Sequence, residues 1–157
     1  MSVRERLLPA TIDNVFRGPR AAVWLFVLVL IIRTGISAGS AFNSHQALQQ
    51  ADGIPLDTYG EAAATTVVAV FSALGESLLV LAVIGWVVLI RYRAAVPLMF
   101  VVFLVEHLAR RAMFVWHPIA KTAAPGGLIN MVVLAVMVVG TVVSLVSLRT
   151  NPETLKL

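Results

Sequence analysis

The sequence predicts an all-α integral membrane protein in which four transmembrane helices form one bundle. Of the 157 residues, 59% are hydrophobic and only 13% are charged, whereas about a quarter of the residues in soluble domains are charged. The apolar residues form four runs, each long enough to cross the hydrocarbon core as a helix of about 20 residues. We therefore expect residues 1–157 to form a single membrane domain with short loops and no separate soluble module.

The predicted spans cover about residues 21–42, 62–90, 95–116 and 128–148. No short apolar stretch with a small-residue cleavage site precedes the first span, so we expect this span to remain in the mature protein. The loop that follows the first span is long enough for one short helix, with Ser44 as its N-terminal cap.

Basic residues in the segments that flank the spans indicate their orientation. One side carries Arg4, Arg6, Arg17, Arg20, Arg91, Arg93, Arg149 and Lys156, and the other carries Lys121. The positive-inside rule makes the basic side cytoplasmic, which predicts a multi-pass protein of the inner (plasma) membrane with both termini in the cytoplasm. The net charge of +4 then reflects orientation and contact with anionic lipid headgroups, and we expect no nucleic-acid partner.

An apolar residue recurs every four positions ahead of the first span, at Leu8, Ile12 and Phe16. Together with Arg17 and Arg20, this pattern predicts a short helix that lies on the inner membrane surface. A disordered basic leader is the alternative interpretation.

The chain contains no cysteine, which excludes disulfides, thiolate metal sites and cysteine nucleophiles. His45, His107 and His117 do not have the spacing of two metal or haem ligands on one helix. We therefore expect no metal and no cofactor.

Six ionisable residues lie inside the predicted spans, where a charge costs about 2.5–3.5 kcal/mol on insertion scales. They are Arg33, Glu76, Glu106, His107, Arg110 and Arg111. At about 1.5 Å per residue, Arg33, Glu76 and Glu106 all lie about 20 Å from the cytoplasmic boundary. Three helices therefore bring charges to one level in the outer half of the membrane, which predicts a ligand-binding or proton site formed by Arg33, Glu76, Glu106, His107 and Arg110.

The spacing also predicts particular ion pairs. Arg110 lies one turn beyond Glu106 and can pair with it, and Arg33 has Glu76 at its own depth. An equally simple interpretation is that these two pairs only fix the relative positions of the helices. Arg111 lies closer to the end of its span, so we expect it to extend to the outer headgroups.

Polar residues extend outward from this charged level on the same helix faces and predict an outward-facing vestibule. Its expected lining is Ser37, Ser40, Thr65, Ser72 and His117. On the cytoplasmic side, the same faces continue with apolar residues that would seal the bundle, namely Phe26, Leu30, Val80, Val83, Val87, Met99 and Phe103.

Gly35 and Gly39 form a GxxxG pair on the first span. Such pairs allow two helix backbones to approach closely. The pair predicts a helix-packing contact inside the bundle or in a homodimer.

Three functions fit this pattern. The first is binding or translocation of a small polar or anionic solute, or of a proton, at the charged site. The second is a non-catalytic accessory or assembly subunit of a larger membrane complex. The third is an intramembrane lipid-modifying enzyme that uses Glu76, Glu106 and His107 for acid–base chemistry, although the sequence identifies no nucleophile and no catalytic residue.

Overall fold

The computed structural model describes residues 3–9 and 11–145. Within these residues all regular structure is helical, which confirms the predicted all-α class. The α-helices are α1 (Val3–Leu7), α2 (Arg20–Phe42), α3 (Ser44–Gln46), α4 (Glu61–Arg91), α5 (Val96–Trp116) and α6 (Gly126–Leu145). A π-helical turn, Ala47–Ala51, follows α3, and 3-10 turns lie at Leu56–Thr58 and Arg93–Ala95.

Three of the helices, α2, α4 and α6, are long and apolar enough to cross a membrane, so the chain has the helices of a membrane protein. The fourth long helix, α5, has 21 residues but does not qualify by composition, since it carries Glu106, Arg110 and Arg111. The predicted fourth span ends at residue 148, and that end lies outside the described residues, as do Arg149 and Lys156.

The four long helices alternate in direction, so their ends form two groups. We call the end that holds Arg20, Arg91 and Arg93 the basic end, and the end that holds residues 43–60 and 117–125 the loop end. At the basic end, the Ala94 amide donates to the Asp13 carbonyl at 3.2 Å. At the loop end, the Thr122 amide donates to the Gly53 carbonyl at 2.8 Å, so the two loops contact each other.

The N-terminal segment differs from the predicted surface helix. The helix described there is α1, and the backbone is not helical at Leu8, Ile12 and Phe16. Pro9 has no amide hydrogen to donate within a helix. Asp13 instead accepts hydrogen bonds from the Val15 amide at 3.1 Å and from the Arg17 guanidinium at 2.5 Å. These local contacts favour a folded turn over a continuous helix.

The loop after α2 also differs from the prediction in one detail. A short helix does form there, but Ser44 is its first residue and not its cap. The Ser44 hydroxyl donates to the Ser40 carbonyl at 2.7 Å and is hydrogen-bonded to the Ser72 hydroxyl on α4. Ser44 therefore joins α2 to α4 and is not available to cap α3.

The long helices pack in the order α4, α2, α6 and α5. The α2 backbone follows α4 closely and also contacts α6, and α6 in turn contacts α5. The backbones of α4 and α5 approach each other little. The bundle is therefore open on one side, between α4 and α5.

Glycines allow the close approaches on the packed sides. A Cβ placed at Gly75 of α4 would lie 2.5 Å from the Ala41 backbone nitrogen of α2, and one at Gly85 would lie 2.5 Å from Leu30 Cδ2. Gly140 of α6 makes room in the same way for the Phe100 ring of α5. These contacts are the small-residue packing that is typical of membrane helices.

The predicted packing role of Gly35 and Gly39 inside the bundle is wrong. A Cβ at either position would meet no atom within 4 Å, and Gly35 is exposed. The two glycines lie on the outer side of α2 because the opposite face, with Arg33 and Ser37, packs inward. A contact with a second copy of the chain remains a prediction.

The core lies between the basic end and the middle of the bundle. It is built from Phe26, Val29, Leu30, Leu89, Val96, Met99, Phe100, Phe103, Val133 and Met137. This core contains the predicted sealing residues of α2 and α5. The predicted contribution of Val80, Val83 and Val87 is wrong, since all three are about half exposed. The α4 residues that pack inward are Gly75, Leu78, Ala82, Gly85 and Leu89.

The glycine contacts predict opposite effects for two matched substitutions. We expect Gly75→Ala to lower the free energy of unfolding by about 1–2 kcal/mol, because the methyl group has to displace the α2 backbone. Gly35→Ala introduces the same methyl group in open space and should raise stability by up to about 1 kcal/mol through helix propensity. Thermal unfolding of both variants in one detergent measures the difference. Equal effects of the two substitutions would contradict the close contact at Gly75.

Candidate functional site

One face of α2 places a charged side chain in the interior of the bundle. Phe26, Leu30, Arg33, Ser37 and Ser40 recur at intervals of three or four residues and are all buried. This spacing follows one side of an α-helix. Arg33 is only 5% exposed, and it lies where the apolar part of this face gives way to serines.

Arg33 contacts two other helices. Its Nη2 donates to Glu106 Oε2 of α5 at 2.5 Å, and its Nη1 lies 3.8 Å from the Met137 sulfur of α6. The guanidinium carbon lies 4.5 Å from the centre of the Phe103 ring, a distance that allows a cation–π interaction. A single side chain thereby connects α2, α5 and α6.

Glu106 is shared between two cations. Its second oxygen, Oε1, accepts a hydrogen bond from Arg110 Nε at 3.0 Å. This is the predicted pair one turn apart, and it is confirmed. We call Arg33, Glu106, Arg110 and His107 the charged network. Two guanidinium groups around one carboxylate leave this network with an excess of one positive charge.

The hydrogen bond of His107 determines which of its ring nitrogens carries the proton. Arg110 Nη2 lies 3.3 Å from His107 Nδ1, and a guanidinium can only donate, so Nδ1 is the acceptor. The proton of the neutral ring is then on Nε2. His107 is 2% exposed, and Nε2 has no partner in the described part of the chain. The ring therefore holds a buried donor without a hydrogen-bond partner among the described residues.

The structure does not bring Glu76 into this network, which corrects the predicted Arg33–Glu76 pair. Glu76 is exposed on the outer surface of α4, although it lies at a comparable depth. The reason is rotational: Gly75 is the residue that packs against α2, and Glu76 is turned about 100° away from it. Among the three residues considered for acid–base chemistry, only Glu106 and His107 come together.

A cleft of about 670 Å³ lies on the open side of the bundle, between the loop-end halves of α4 and α5. His107 and Arg110 of the charged network line it. Most of the wall is apolar and is formed by Ile36, Leu48, Ile54, Val67, Val70, Phe71, Leu74, Leu78, Phe114, Val115 and Ile119. The volume lies in the usual range for binding sites of small molecules.

The predicted vestibule lining is only partly found at this cleft. Ser40 lines the cleft, whereas Ser37 is buried and Ser72 is hydrogen-bonded to Ser44. Thr65 and His117 are exposed and are not part of the lining. Gly75 lets α4 approach α2 closely at Ser40 and Ala41, which leaves Ser40 as the one residue of the predicted lining that borders the cleft.

The cleft is also lined by charged residues that the sequence analysis did not assign to it, namely Arg111, Lys121 and Asp52. Arg111 lies one turn beyond His107, a spacing that marks the cleft-facing side of α5. The Lys121 ammonium lies 5.0 Å from the centre of the Phe114 ring. Burial raises the pKa of Asp52, while Lys121 and Arg110 act in the opposite direction. No local pattern in the sequence relates the two loops to this helix face.

No protein-family model, curated protein or solved structure matches the chain. The function is therefore inferred from the chemistry of the cleft and of the charged network.

The charged network predicts an asymmetry between its two partners. Glu106→Gln leaves the buried Arg33 without a counter-charge, and we expect a loss of about 3 kcal/mol in the free energy of unfolding. Arg33→Met removes the buried charge and leaves Glu106 paired with Arg110, so it should cost less than about 1 kcal/mol.

The double variant provides the control for this comparison. Arg33→Met combined with Glu106→Gln should recover most of the stability that Glu106→Gln loses, because no buried cation remains uncompensated. Chemical or thermal unfolding of the three variants in detergent measures these values. A double variant as unstable as Glu106→Gln alone would contradict the assigned interaction.

Proposed function

We propose that this chain is a four-span protein of the inner (plasma) membrane whose cleft binds a small anionic molecule at the outer side. The observation that carries the proposal is the excess of positive charge at the cleft. Three basic side chains, Arg110, Arg111 and Lys121, line it together with one carboxyl, Asp52. Among the described residues, Glu106 is the one carboxylate within hydrogen-bond distance of Arg110, and it is already shared with Arg33.

The charged network supports α5 as the fourth span. A helix of 21 residues is long enough to cross the hydrocarbon core. The pairing of Glu106 with Arg33 and Arg110 neutralises the most costly charge inside it, and intramembrane charges characteristically pair in this way. Both termini would then be cytoplasmic, since Arg20, Arg91 and Arg93 share the basic end.

The donors around the cleft suit an anion. Arg111 lines the cleft and forms no ion pair among the described residues. Guanidinium groups bind carboxylate and phosphate oxygens through charge-assisted hydrogen bonds, which are about twice as strong as neutral ones. A cation in the same cleft would be repelled by three basic side chains.

Binding fits the geometry better than passage across the membrane. The apolar core fills the bundle between the charged network and the basic end, so the cleft has no polar continuation toward the cytoplasmic side. We therefore propose that this conformation holds its ligand at the outer side.

Substitution of one cleft cation tests the proposal. We expect the purified chain in nanodiscs to bind phenyl phosphate and not phenyltrimethylammonium, as measured by isothermal titration calorimetry. Arg111→Gln should weaken phenyl phosphate binding about tenfold, the effect of losing one hydrogen bond to a charged group. Arg91→Gln removes an equally exposed cation from the basic end and should leave the affinity unchanged. Equal affinity for both probes, or equal effects of the two substitutions, would overturn the proposal.

The pH dependence of binding gives a second test, based on Asp52. Its carboxyl is neutral below its raised pKa and negative above it, and the negative form repels an anion held by Lys121 and Arg110. The affinity for phenyl phosphate should therefore fall as the pH rises through the pKa of Asp52. Asp52→Asn should remove this part of the pH dependence.

The Asp52 contribution is the difference between the pH curves of the wild type and the Asp52→Asn variant. Identical curves for the two proteins would exclude a role for Asp52 in anion affinity.

A further inference from the structure

The cleft combines basic side chains with an extensive apolar wall, and a simple anion contacts only the basic side chains. Its lining holds three cations, Arg110, Arg111 and Lys121, whereas most of the wall is aliphatic or aromatic. Along α4 the lining runs from Thr66 to Leu78, which corresponds to about 18 Å of helix. The cleft is thus elongated and mostly apolar, and a small hydrophilic anion would leave this apolar surface uncovered.

The loop end and the open side of the bundle differ as entrances. At the loop end, Thr122 donates to the Gly53 carbonyl through both its amide and its hydroxyl, at 2.8 and 3.1 Å. Gly126 packs directly against the Ala51 backbone. These contacts hold the two loops together across the loop end of the bundle. Between α4 and α5 the backbones approach each other little, and among the described residues no side-chain ion pair joins the two helices.

The surface around this gap is apolar. Val70 and Leu74 line the cleft and are 66% and 37% exposed. In a bundle that crosses a membrane, such side chains face the acyl chains of the lipid. An occupant that enters through the gap therefore comes from the bilayer.

We infer that the cleft takes a single anionic amphiphile, a lipid whose phosphate or carboxylate head contacts Arg111 and Lys121 and whose alkyl chain lies between α4 and α5. This inference rests on the proposed anion binding and specifies its ligand class. Charge complementarity orients the molecule, since Lys121 belongs to the loop after α5 and helical rise places Arg111 nearer the loop end than Leu78. The head then lies at the level of the outer headgroups and the chain at the level of the hydrocarbon.

The dependence of affinity on the length of the ligand's alkyl chain distinguishes this inference from simple anion binding. We use inorganic phosphate and the ethyl, butyl, hexyl and octyl phosphates as probes, with the full chain in nanodiscs of zwitterionic phosphatidylcholine. Each methylene that the cleft buries should raise the affinity about fourfold, the factor expected for transfer of one such group out of water. Empty nanodiscs, titrated in parallel, give the part that is due to partition into the bilayer.

A matched pair of substitutions tests where the alkyl chain of the ligand lies. Val70→Trp fills the apolar wall of the cleft, whereas Val80→Trp places the same side chain on exposed α4 surface outside the lining. We expect Val70→Trp to flatten the dependence of affinity on alkyl chain length, and Val80→Trp to behave as the wild type. Thermal unfolding verifies that both variants are folded.

The outcomes distinguish the two levels of the proposal. Equal affinity for inorganic phosphate and octyl phosphate after subtraction of bilayer partition would overturn the amphiphile and leave the anion site intact. Equal affinity for octyl phosphate and octyl glucoside, with no effect of Arg111→Gln, would overturn both. Octyl phosphate binding that disappears as the protein concentration rises would show that a second copy of the chain occupies the cleft, and would also overturn the inference.

Discussion

The burial of Arg33 is the constraint on which the arrangement of the helices depends. A guanidinium that is 5% exposed inside a bundle of apolar helices needs a counter-charge, because an isolated buried charge costs several kcal/mol. Glu106 supplies this charge from α5, and Met137 and Phe103 provide softer contacts from α6 and α5. The relative depth of α2 and α5 is fixed by this pair, since a shift of one turn, about 5.4 Å, would separate the two groups.

The sharing of Glu106 has an electrostatic consequence for the cleft. If Arg110 were absent, Arg33 and Glu106 would form a neutral pair, and the interior would carry no net charge. Arg110 binds the remaining carboxylate oxygen at 3.0 Å and lines the cleft with the same side chain. The positive charge that the buried pair does not cancel is therefore presented at the cleft surface, where Arg111 and Lys121 add to it.

The sequence predicts the members of this network but not every pairing. Helical rise places Arg33 and Glu106 at one depth, and the spacing of four residues joins Glu106 to Arg110, so three of the four network residues follow from distance along the helix. The rotation of α4 does not follow in this way. In soluble proteins polar residues mark the outer face of a helix, but here much of that face is apolar, and small residues mark the inner face. Gly75 and Gly85 therefore carry the signal for the packing of α4, and Glu76 points away from the bundle.

The cleft follows from how the helices are paired. Gly75 and Gly85 draw α4 onto α2, and the Trp86 indole donates to the Thr34 hydroxyl at 3.0 Å across the same contact. Gly140 in turn admits the Phe100 ring and draws α5 onto α6. The close contacts therefore lie within the pairs α2–α4 and α5–α6, and neither of them brings α4 near α5. Near the basic end the large aromatic core side chains fill the space between the pairs, whereas toward the loop end the side chains that line the gap leave about 670 Å³ unfilled. The same packing that positions Arg33 and Glu106 therefore leaves a mostly apolar cleft between α4 and α5.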